Sequence, residues 1–430
     1  MDIATEIRLE PAFRRYTPAA AESLARIAAA LTRIETADIR PAAEDQLRVS
    51  ARVGTVHYST LIEGNELPEI EAERAARREL AADTKAKIEL VNYVEALDLL
   101  DEWIDQEEPG ITPELILNIH GAATKGLGTT GSERFAPHHE GAWRDGEAVV
   151  ADQITGTVFH RAPPPGEVAA RINGFCRWVA EAGQRPGEYP APVVAGVVHY
   201  AITDIHPFAD GNGRVARLLA AASMMKDGLL PGRLFSFERY YAENREEYYA
   251  ALRSVRRETL NMTGWLEFFL RGLVGEYERV AEKVAELEGL GLRSGAPTQL
   301  SLTQERAITD IKLRAISEFR RLDYQQLAGV NKTQAIRDLA ALRKAGLIVA
   351  QGSGPATRYR FRADGWGERR GRTRTWTDER IENELKSLVE EVGGWPTVAL
   401  FRGKGKMSLY QAIQRYGGSA AWANRVGVSL

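Results

Sequence analysis

The densest chemistry in this chain lies in twelve consecutive residues, His206-Pro-Phe-Ala-Asp-Gly-Asn-Gly-Arg-Val-Ala-Arg217. Apolar, helix-patterned segments flank them on both sides. Gly211, Asn212 and Gly213 stand just ahead of the second segment, where backbone N–H groups can form an anion nest that the helix dipole reinforces. Arg214 and Arg217 are three apart, on one helix face, so two guanidinium forks can meet one polyphosphate. Asp210 is a hard oxygen ligand beside that nest, the type of group that holds a nucleotide-bound Mg²⁺. His206 is the base of the segment, with a reference pKa near neutrality. His199, two turns earlier between Val198 and Tyr200, reads as a packed or supporting histidine.

The segment resembles the signature of the Fic family, His-Pro-Phe-x-(Asp/Glu)-Gly-Asn-Gly-Arg-x-x-Arg, and residues 206–217 match every specified position. The resemblance implies an α-helical fold that transfers AMP from ATP to Tyr, Thr or Ser hydroxyls of a target protein. It further implies that His206 deprotonates the acceptor and that Asp210 holds Mg²⁺ across the α- and β-phosphates. Gly211 and Gly213 would complete the anion hole, Asn212 would meet the α-phosphate region, Arg214 the phosphates and Arg217 the γ-phosphate, with Phe208 anchoring the loop inward. Such chemistry is consistent with general-base and electrostatic catalysis of attack at the α-phosphorus, with pyrophosphate leaving. No G-x-x-x-x-G-K-[ST] run accompanies the motif, so it is not a P-loop.

A second match is HYSTLIEGNEL, 57–67, where Ser59 and Glu63-Gly64 resemble the inhibitory (Ser/Thr)-x-x-x-Glu-(Gly/Asn) helix of Fic proteins. In that reading Glu63 pairs with Arg217, since one arginine cannot serve a carboxylate and a phosphate together; the same glutamate would suit positioning water for AMP removal. The hairpin segment around GTVFHRAPPP resembles the flap that aligns an acceptor strand, with Thr157, Val158 and Phe159 as its edge. Gly141 and Arg144, in GAWRDGEAVV, are expected supports. Asn244 and Tyr248, in FERYYAENREEYYAAL, are expected either at the adenine pocket or as packed helix residues. The resemblance spans roughly residues 10–285.

These residues need helices to hold them, and the sequence supplies the periodicity. Residues 15–50, the charged-and-apolar stretch 66–104, 167–184, 192–205, the run after the motif and 238–286 all read as amphipathic or buried helices. Thr112 and Pro113 mark an N-cap and first turn. Residues 128–168 are Gly-rich with a small hairpin, GEAVV and TGTVF. The expected class is all-α, a Fic-type helical bundle with a β-hairpin flap, then a winged helix-turn-helix and a small helical unit. The expected segments are 1–105 with the inhibitory helix, 106–286 catalytic, 292–364 winged helix, and 373–430.

Residues 292–362 change grammar to three helices and a two-stranded ribbon turning at Ser353-Gly354-Pro355, the order of a winged helix. Its recognition helix, about Lys332–Ala345, would expose Lys332, Thr333, Gln334 and Arg337 to DNA, although such modules also dock proteins. Residues 358–374 hold seven arginines (358, 360, 362, 369, 370, 372 and 374) against Asp364 and Glu368, a basic linker suited to phosphate contacts. The last segment resembles a repeat found beside homing endonucleases, through Trp376, the Gly393–Thr397 turn and Gly417-Gly418 before Trp422. It lacks a nuclease histidine cluster.

Composition bounds the rest. The 430 residues carry a net charge of −3 with 27% charged residues, so the chain as a whole is no basic nucleic-acid coat. No apolar run is long enough to cross a bilayer, and the acidic N-terminus lacks a signal h-region. The single cysteine, Cys176, sits in a helical pattern and excludes an intrachain disulfide; a cytoplasmic setting follows as the simplest expectation. The expected ligands and partners are ATP, Mg²⁺, a protein target (a copy of the chain itself among the candidates), DNA and a homodimer.

Overall fold

The computed structural model describes residues 17–107, 109–130, 135–151, 158–230, 233–255, 260–289, 300–352, 354–362, 378–404, 406, 409–410, 412–413 and 418–428. The chain forms two compact units, 1–366 and 367–430.

The first unit is built around two helices that bracket the motif. α7 (Ala191–Ile205) is buried along almost its whole length, and α8 (Asn212–Lys226) packs on it. A helix as apolar as PVVAGVVHYAITDI, whose polar residues are confined to His199, Tyr200, Thr203 and Asp204, belongs at the centre of a core, since it offers almost no polar face to water. Trp265 and Phe269 of α11 (Thr263–Gly289) lie against it, and the Trp265 Nε1–H donates to the Gly196 carbonyl at 2.8 Å. Around this pair stand α4 (Lys85–Ile104), α5 (Pro113–Thr124) and α6 (Val168–Gly183). α1 (Pro18–Glu35) runs along α11, tied by Thr17 Oγ1–Glu267 and Arg26–Glu278. Thr17 and Thr112 cap α1 and α5 through their hydroxyls, each helix opening on proline.

The helical stretch expected over 15–50 is two helices. The extended Arg40 and Pro41 stop one and start the next, so α2 (Pro41–Ile62) forms a single rod ending at Glu63. α3 (Glu69–Ala76) follows it, and 238–286 divides into α9 (Glu238–Glu243), α10 (Arg245–Ser254) and α11, breaking at Asn244. The hairpin is present: β1 (Val149–Ala151) pairs antiparallel with β2 (Val158–Arg161), Val150 opposite His160, with an irregularity before Ala151. Thr157 lies outside the described residues.

The winged-helix-like region comprises α12 (Leu302–Leu313), β3 (Phe319–Arg320), α13 (Arg321–Ala328), α14 (Lys332–Lys344), β4 (Ile348–Gln351) and β5 (Arg358–Phe361). Its sheet has three strands, in the order β3-β5-β4, rather than the two the sequence suggested. β3 is two residues long, too short to leave an alternating pattern. The buried Asp338 accepts from Gln304, Tyr324 and Gln334 at 2.8, 3.2 and 2.9 Å, joining the three helices. Ala307, Ile308 and Ile311 of α12 belong to the same hydrophobic core as α7 and α8, and α12 is bound to α2 by Arg40–Glu305 and Gln46–Asp310. The segments drawn as 1–105, 106–286 and 292–364 therefore share one core.

The second unit holds α15 (Asp378–Val392), α16 (Val398–Gly403) and α17 (Gly418–Val426) around Ile381, Leu385, Phe401 and the buried Trp422. Trp422 is a core anchor there; Trp376, Gly417 and the linker arginines beyond Arg362 lie outside the described residues.

Candidate active site

His206 terminates α7 in the left-handed region, φ 49° and ψ 57°, a backbone that a non-glycine residue adopts only when its surroundings enforce it. The enforcement comes largely from Arg144. This buried guanidinium donates from Nε to the His206 carbonyl at 2.7 Å, from Nη1 to Gly146 O at 2.8 Å and from Nη2 to Pro163 O. Its own backbone N–H reaches Pro207 O at 2.9 Å. All of these acceptors are carbonyls, so Arg144 ties the motif to the base of the hairpin, and burial lowers its pKa. The His206 Nδ1 meets Thr203 O at 3.4 Å, which assigns the proton to Nδ1 and leaves Nε2 with its lone pair. Burial pulls the His206 pKa down to about 4, with Arg144 and His160 adding to the effect, so the imidazole is neutral at pH 7.

The loop closes on itself. Phe208 is fully buried; its N–H donates to Asn212 Oδ1 and its carbonyl accepts from Asn212 Nδ2, both at 2.9 Å. Both arms of the Asn212 amide are thus used in the loop, and its main-chain N–H is what remains for a ligand. Gly211 adopts φ 81° as the residue before α8, a conformation only glycine takes without strain. Asp210 is exposed, with Oδ1 accepting the Gly211 N–H at 2.6 Å and Oδ2 3.7 Å from Arg214 Nη2. Arg214 is buried, donates to Ala123 O at 3.3 Å, and has no partner for its Nε among the described residues.

Arg217 is the most enclosed charge of the site, its side chain 1% exposed. Its Nε donates to Ser59 Oγ at 2.8 Å, and Nη2 donates to Ser59 O at 3.1 Å and to Glu63 Oε1 at 2.7 Å. Nη1 finds no hydrogen-bond partner among the described residues. Burial works against this charge, and Glu63 with the Tyr248 and Tyr93 phenols more than restores it, so the net pKa is raised. The Glu63 carboxylate sits on the first turn of α8: a methyl group at Gly213 would lie 2.5 Å from Glu63 Oε1. A carboxylate thus occupies the N-terminal anion position of the helix. Asn65 fixes the end of α2, its amide donating to Ala86 O at 2.8 Å and Glu89 Oε2 at 2.9 Å and accepting from Leu67 N–H.

A cavity of about 460 Å³ joins these groups. Glu63, His206, Asn212, Gly213 and Arg217 form one wall; Tyr248, Tyr249, Leu252 and Val255 form another; Val150, Phe159 and His160 of the hairpin close a third. Val158 and Phe159 are exposed apolar residues, and Arg253 lies 4.7 Å over the Phe159 ring. Tyr248 thus reaches the cavity, with its hydroxyl 3.2 Å from His199 Nε2. Asn244 is not among the cavity's lining residues: its amide donates to Tyr240 O at 2.9 Å and caps α9. His199 is buried among Tyr241, Trp265 and Phe269, as its neighbours implied.

Sequence reasoning passed over His120, Asn65 and the neighbouring histidine cluster. His120 is wholly buried on α5 and stacks on Phe208, with ring centroids 3.7 Å apart and planes 4° from parallel. His138, His139 and Asp145 bring three ligand-type atoms within 4.8 Å. However, His139 Nδ1 accepts the Ala136 N–H at 3.0 Å, which places its proton on Nε2, the atom 3.5 Å from Asp145. That nitrogen is set to donate to the carboxylate, the reverse of what a metal ligand needs. Asp210 offers one exposed hard-oxygen carboxylate, beside guanidinium nitrogens without hydrogen-bond partners among the described residues; a Mg²⁺ ion held by so few protein oxygens would be completed by phosphates and water.

Residues 110–224 match the model of the Fic/DOC family. The protein adenylyltransferase Fic of Nematostella vectensis is 29% identical over 180 residues, 41% of this chain and 38% of that protein. The Drosophila melanogaster protein of the same name is 29% identical over 182 residues, 41% of this chain and 33% of that protein. The alignments thus cover well under half of these curated relatives. A solved Fic family protein from Desulfovibrio desulfuricans G20 superposes with a TM-score of 0.53 at 21% identity, covering 81% of this chain and 98% of that one, which bears on the fold. The motif geometry and the helical bundle agree with the matched region: residues 110–224 carry a Fic/DOC-type domain, similar in sequence to that of the Fic adenylyltransferases.

Proposed function

We propose that this protein transfers AMP from ATP to a Tyr, Thr or Ser hydroxyl of a protein, and that Glu63 holds it in a restrained state. The observation that carries the reading is Arg217: a nearly inaccessible guanidinium at the start of α8, held by Glu63 at 2.7 Å and retaining an unpartnered Nη1. A polyphosphate that replaced the Glu63 carboxylate would find the helix N-terminus, Arg214 and Arg217 already in place, and this preorganisation lowers the reorganisation cost of the reaction.

In the transfer, His206 Nε2 takes the proton of the acceptor hydroxyl as its oxygen forms a bond to the α-phosphorus. The bond from that phosphorus to the bridging oxygen breaks, and pyrophosphate leaves. The main-chain N–H groups of Asn212 and Gly213 and the Arg214 and Arg217 forks face the charge that develops. Asp210 would hold Mg²⁺, which supplies charge neutralisation between the phosphates when bound. The exposed hairpin edge, Val158 and Phe159, supports strand-like docking of the acceptor segment beside His206.

The test uses wild type, Glu63→Gly and Glu63→Gly/His206→Ala, each with Mg²⁺ and α-³²P-ATP, alone and with cell lysate. Label on protein with Glu63→Gly, absent from the double variant, is expected. No label in any folded, ATP-binding sample would remove the transferase reading and leave AMP removal as the next activity to assay.

A second activity has its own observation. Lys332, Thr333, Gln334 and Arg337 are all exposed on α14, with Arg358, Arg360 and Arg362 exposed along the ribbon and just beyond it. This arrangement supports duplex DNA binding with a steep salt dependence. Salt-independent binding, or none, would favour protein docking.

A further inference from the structure

Asp210 is the one carboxylate in the motif, yet it is exposed and stands on a loop, where its direction is not fixed by packing. What fixes it lies one layer deeper. His120 Nδ1 accepts the N–H of Gly141 at 3.1 Å. A backbone N–H can only donate, so the His120 proton resides on Nε2, and that N–H donates to the Asp210 carbonyl at 3.0 Å. The 210–211 peptide is trans, so its C=O and N–H point in opposite directions. Anchoring the carbonyl inward therefore turns the Gly211 N–H outward, where it holds Asp210 Oδ1 at 2.6 Å. The ring is itself immobilised, stacked on Phe208 and set edge-on to Phe135 at 6.1 Å. Gly141, at φ 66°, a backbone conformation that favours glycine, packs on Gly121 of the same helix, where a Cβ would meet Gly121 Cα at 3.4 Å, an ordinary contact.

We propose that His120 is a positioning residue that sets, through the 210–211 peptide plane, the direction in which Asp210 presents its carboxylate. The inference rests on the reading of Asp210 as the carboxylate that faces the metal of a bound nucleotide. His120 contacts neither nucleotide nor metal; it acts through one rigid peptide. Groups standing behind a metal-binding carboxylate change metal affinity by about 10- to 100-fold when removed.

Three substitutions separate the contributions. His120→Phe keeps a ring against Phe208 and loses both hydrogen bonds. His120→Gln places an amide donor near the position of Nε2, and His120→Asn places an amide near the position of Nδ1. Each is made in a Glu63→Gly background and checked for cooperative unfolding. Binding of N-methylanthraniloyl-ATP is titrated against Mg²⁺, and the Gly211 amide resonance is recorded in the ligand-free protein. The Mg²⁺ concentration for half-maximal binding should rise about tenfold or more in His120→Phe. It should return to within about threefold of the parent in His120→Gln and stay high in His120→Asn, with the Gly211 amide moving in step. If His120→Phe unfolds, the contrast between Gln and Asn carries the test. Parent-like Mg²⁺ dependence and an unmoved Gly211 amide in His120→Phe would overturn the proposal. Absence of Mg²⁺-dependent binding in the Glu63→Gly parent would overturn the metal reading of Asp210, and the Gly211 resonance would then decide the peptide-plane link alone.

Discussion

Replacing Glu63 with glycine should change nucleotide affinity and ligand-free stability in opposite directions. Arg217 has a side chain 1% exposed and Glu63 one 33% exposed, joined at 2.7 Å. A hydrogen bond to a charged group is worth about 1.5–3 kcal/mol, and the solvent at Glu63 argues for the lower end, about 1.5–2 kcal/mol. A polyphosphate arriving at Arg217 must first displace that contact, so its removal should tighten ATP binding by roughly 10- to 30-fold. Without nucleotide, the same change leaves the buried guanidinium with its hydrogen bonds to Ser59 and the nearby Tyr248 and Tyr93 phenols, and no counter-charge at hydrogen-bond distance. Breaking a fully buried pair costs about 3–5 kcal/mol, and this partly exposed one should cost about 2–3 kcal/mol. Titration calorimetry with Mg·ATP and thermal unfolding with and without nucleotide read both halves. Glu63→Gln, which keeps an acceptor and loses the charge, should fall between the two. An affinity within about threefold of wild type, or an unchanged ligand-free midpoint, would refute the reasoning: the pair would then not compete with the phosphate.

Four further outcomes follow from the same geometry. Gly213→Ala should expel Glu63, whose Oε1 would lie 2.5 Å from the new methyl, yet fail to bind ATP because the methyl fills the anion position; ATP binding tighter than wild type would contradict this. Arg144→Lys should lose transfer activity and stability almost as fully as Arg144→Ala, since one ammonium cannot span the carbonyls of His206, Gly146 and Pro163; a lysine variant near wild type in a Glu63→Gly background would refute the clamp. Burial holds His120 at about 4, His199 at about 3 and His206 at about 4, so each is neutral when folded and takes a proton near pH 6.5 when unfolded. Stability should therefore fall as pH drops from about 6.5 to 4. Glu238, pushed up by burial to about 7, takes its proton in the folded state first and opposes the trend by roughly one proton. The net slope is on the order of 2 kcal/mol per pH unit, and urea midpoints at pH 7, 6 and 5 should show it steepening in Glu238→Gln; a flat profile would count against the buried-neutral assignment. Finally, Asp338→Leu should destabilise the winged-helix region by about 2–3 kcal/mol, because Gln304, Tyr324 and Gln334 lose a shared acceptor; local hydrogen exchange across 302–344 checks it.

The parts of the fold legible in the sequence are those written in local periodicity. α7 is apolar along most of its length and is readable as an apolar helix, and Thr112-Pro113 marks the start of α5. Breaks within long helical patterns were less legible. α9 and α10 meet at Asn244, whose amide bonds back to Tyr240 and whose sequence context is simply amphipathic. β3 escaped notice because two residues cannot establish an alternation. For the site, the motif residues are evident by type, but Asn212 illustrates a limit: an amide ahead of a helix reads as a ligand donor, and only the folded loop commits both of its arms to Phe208.

What the sequence determined by itself is the chemistry available: a base, a hard oxygen, an anion nest and two arginines within one turn-and-helix, and a glutamate at the end of a separate helix. Those are local facts, set by spacing along one chain segment. What only the tertiary structure decided is which groups meet. Arg217 and Glu63 are 154 residues apart, Arg144 reaches His206 across 62, and His120 reaches Asp210 across 90. Such contacts depend on how helices cross and on which side chain fills the space between them. Packing fixes that through volume and direction, and neither is encoded in the order of residue types along any single helix.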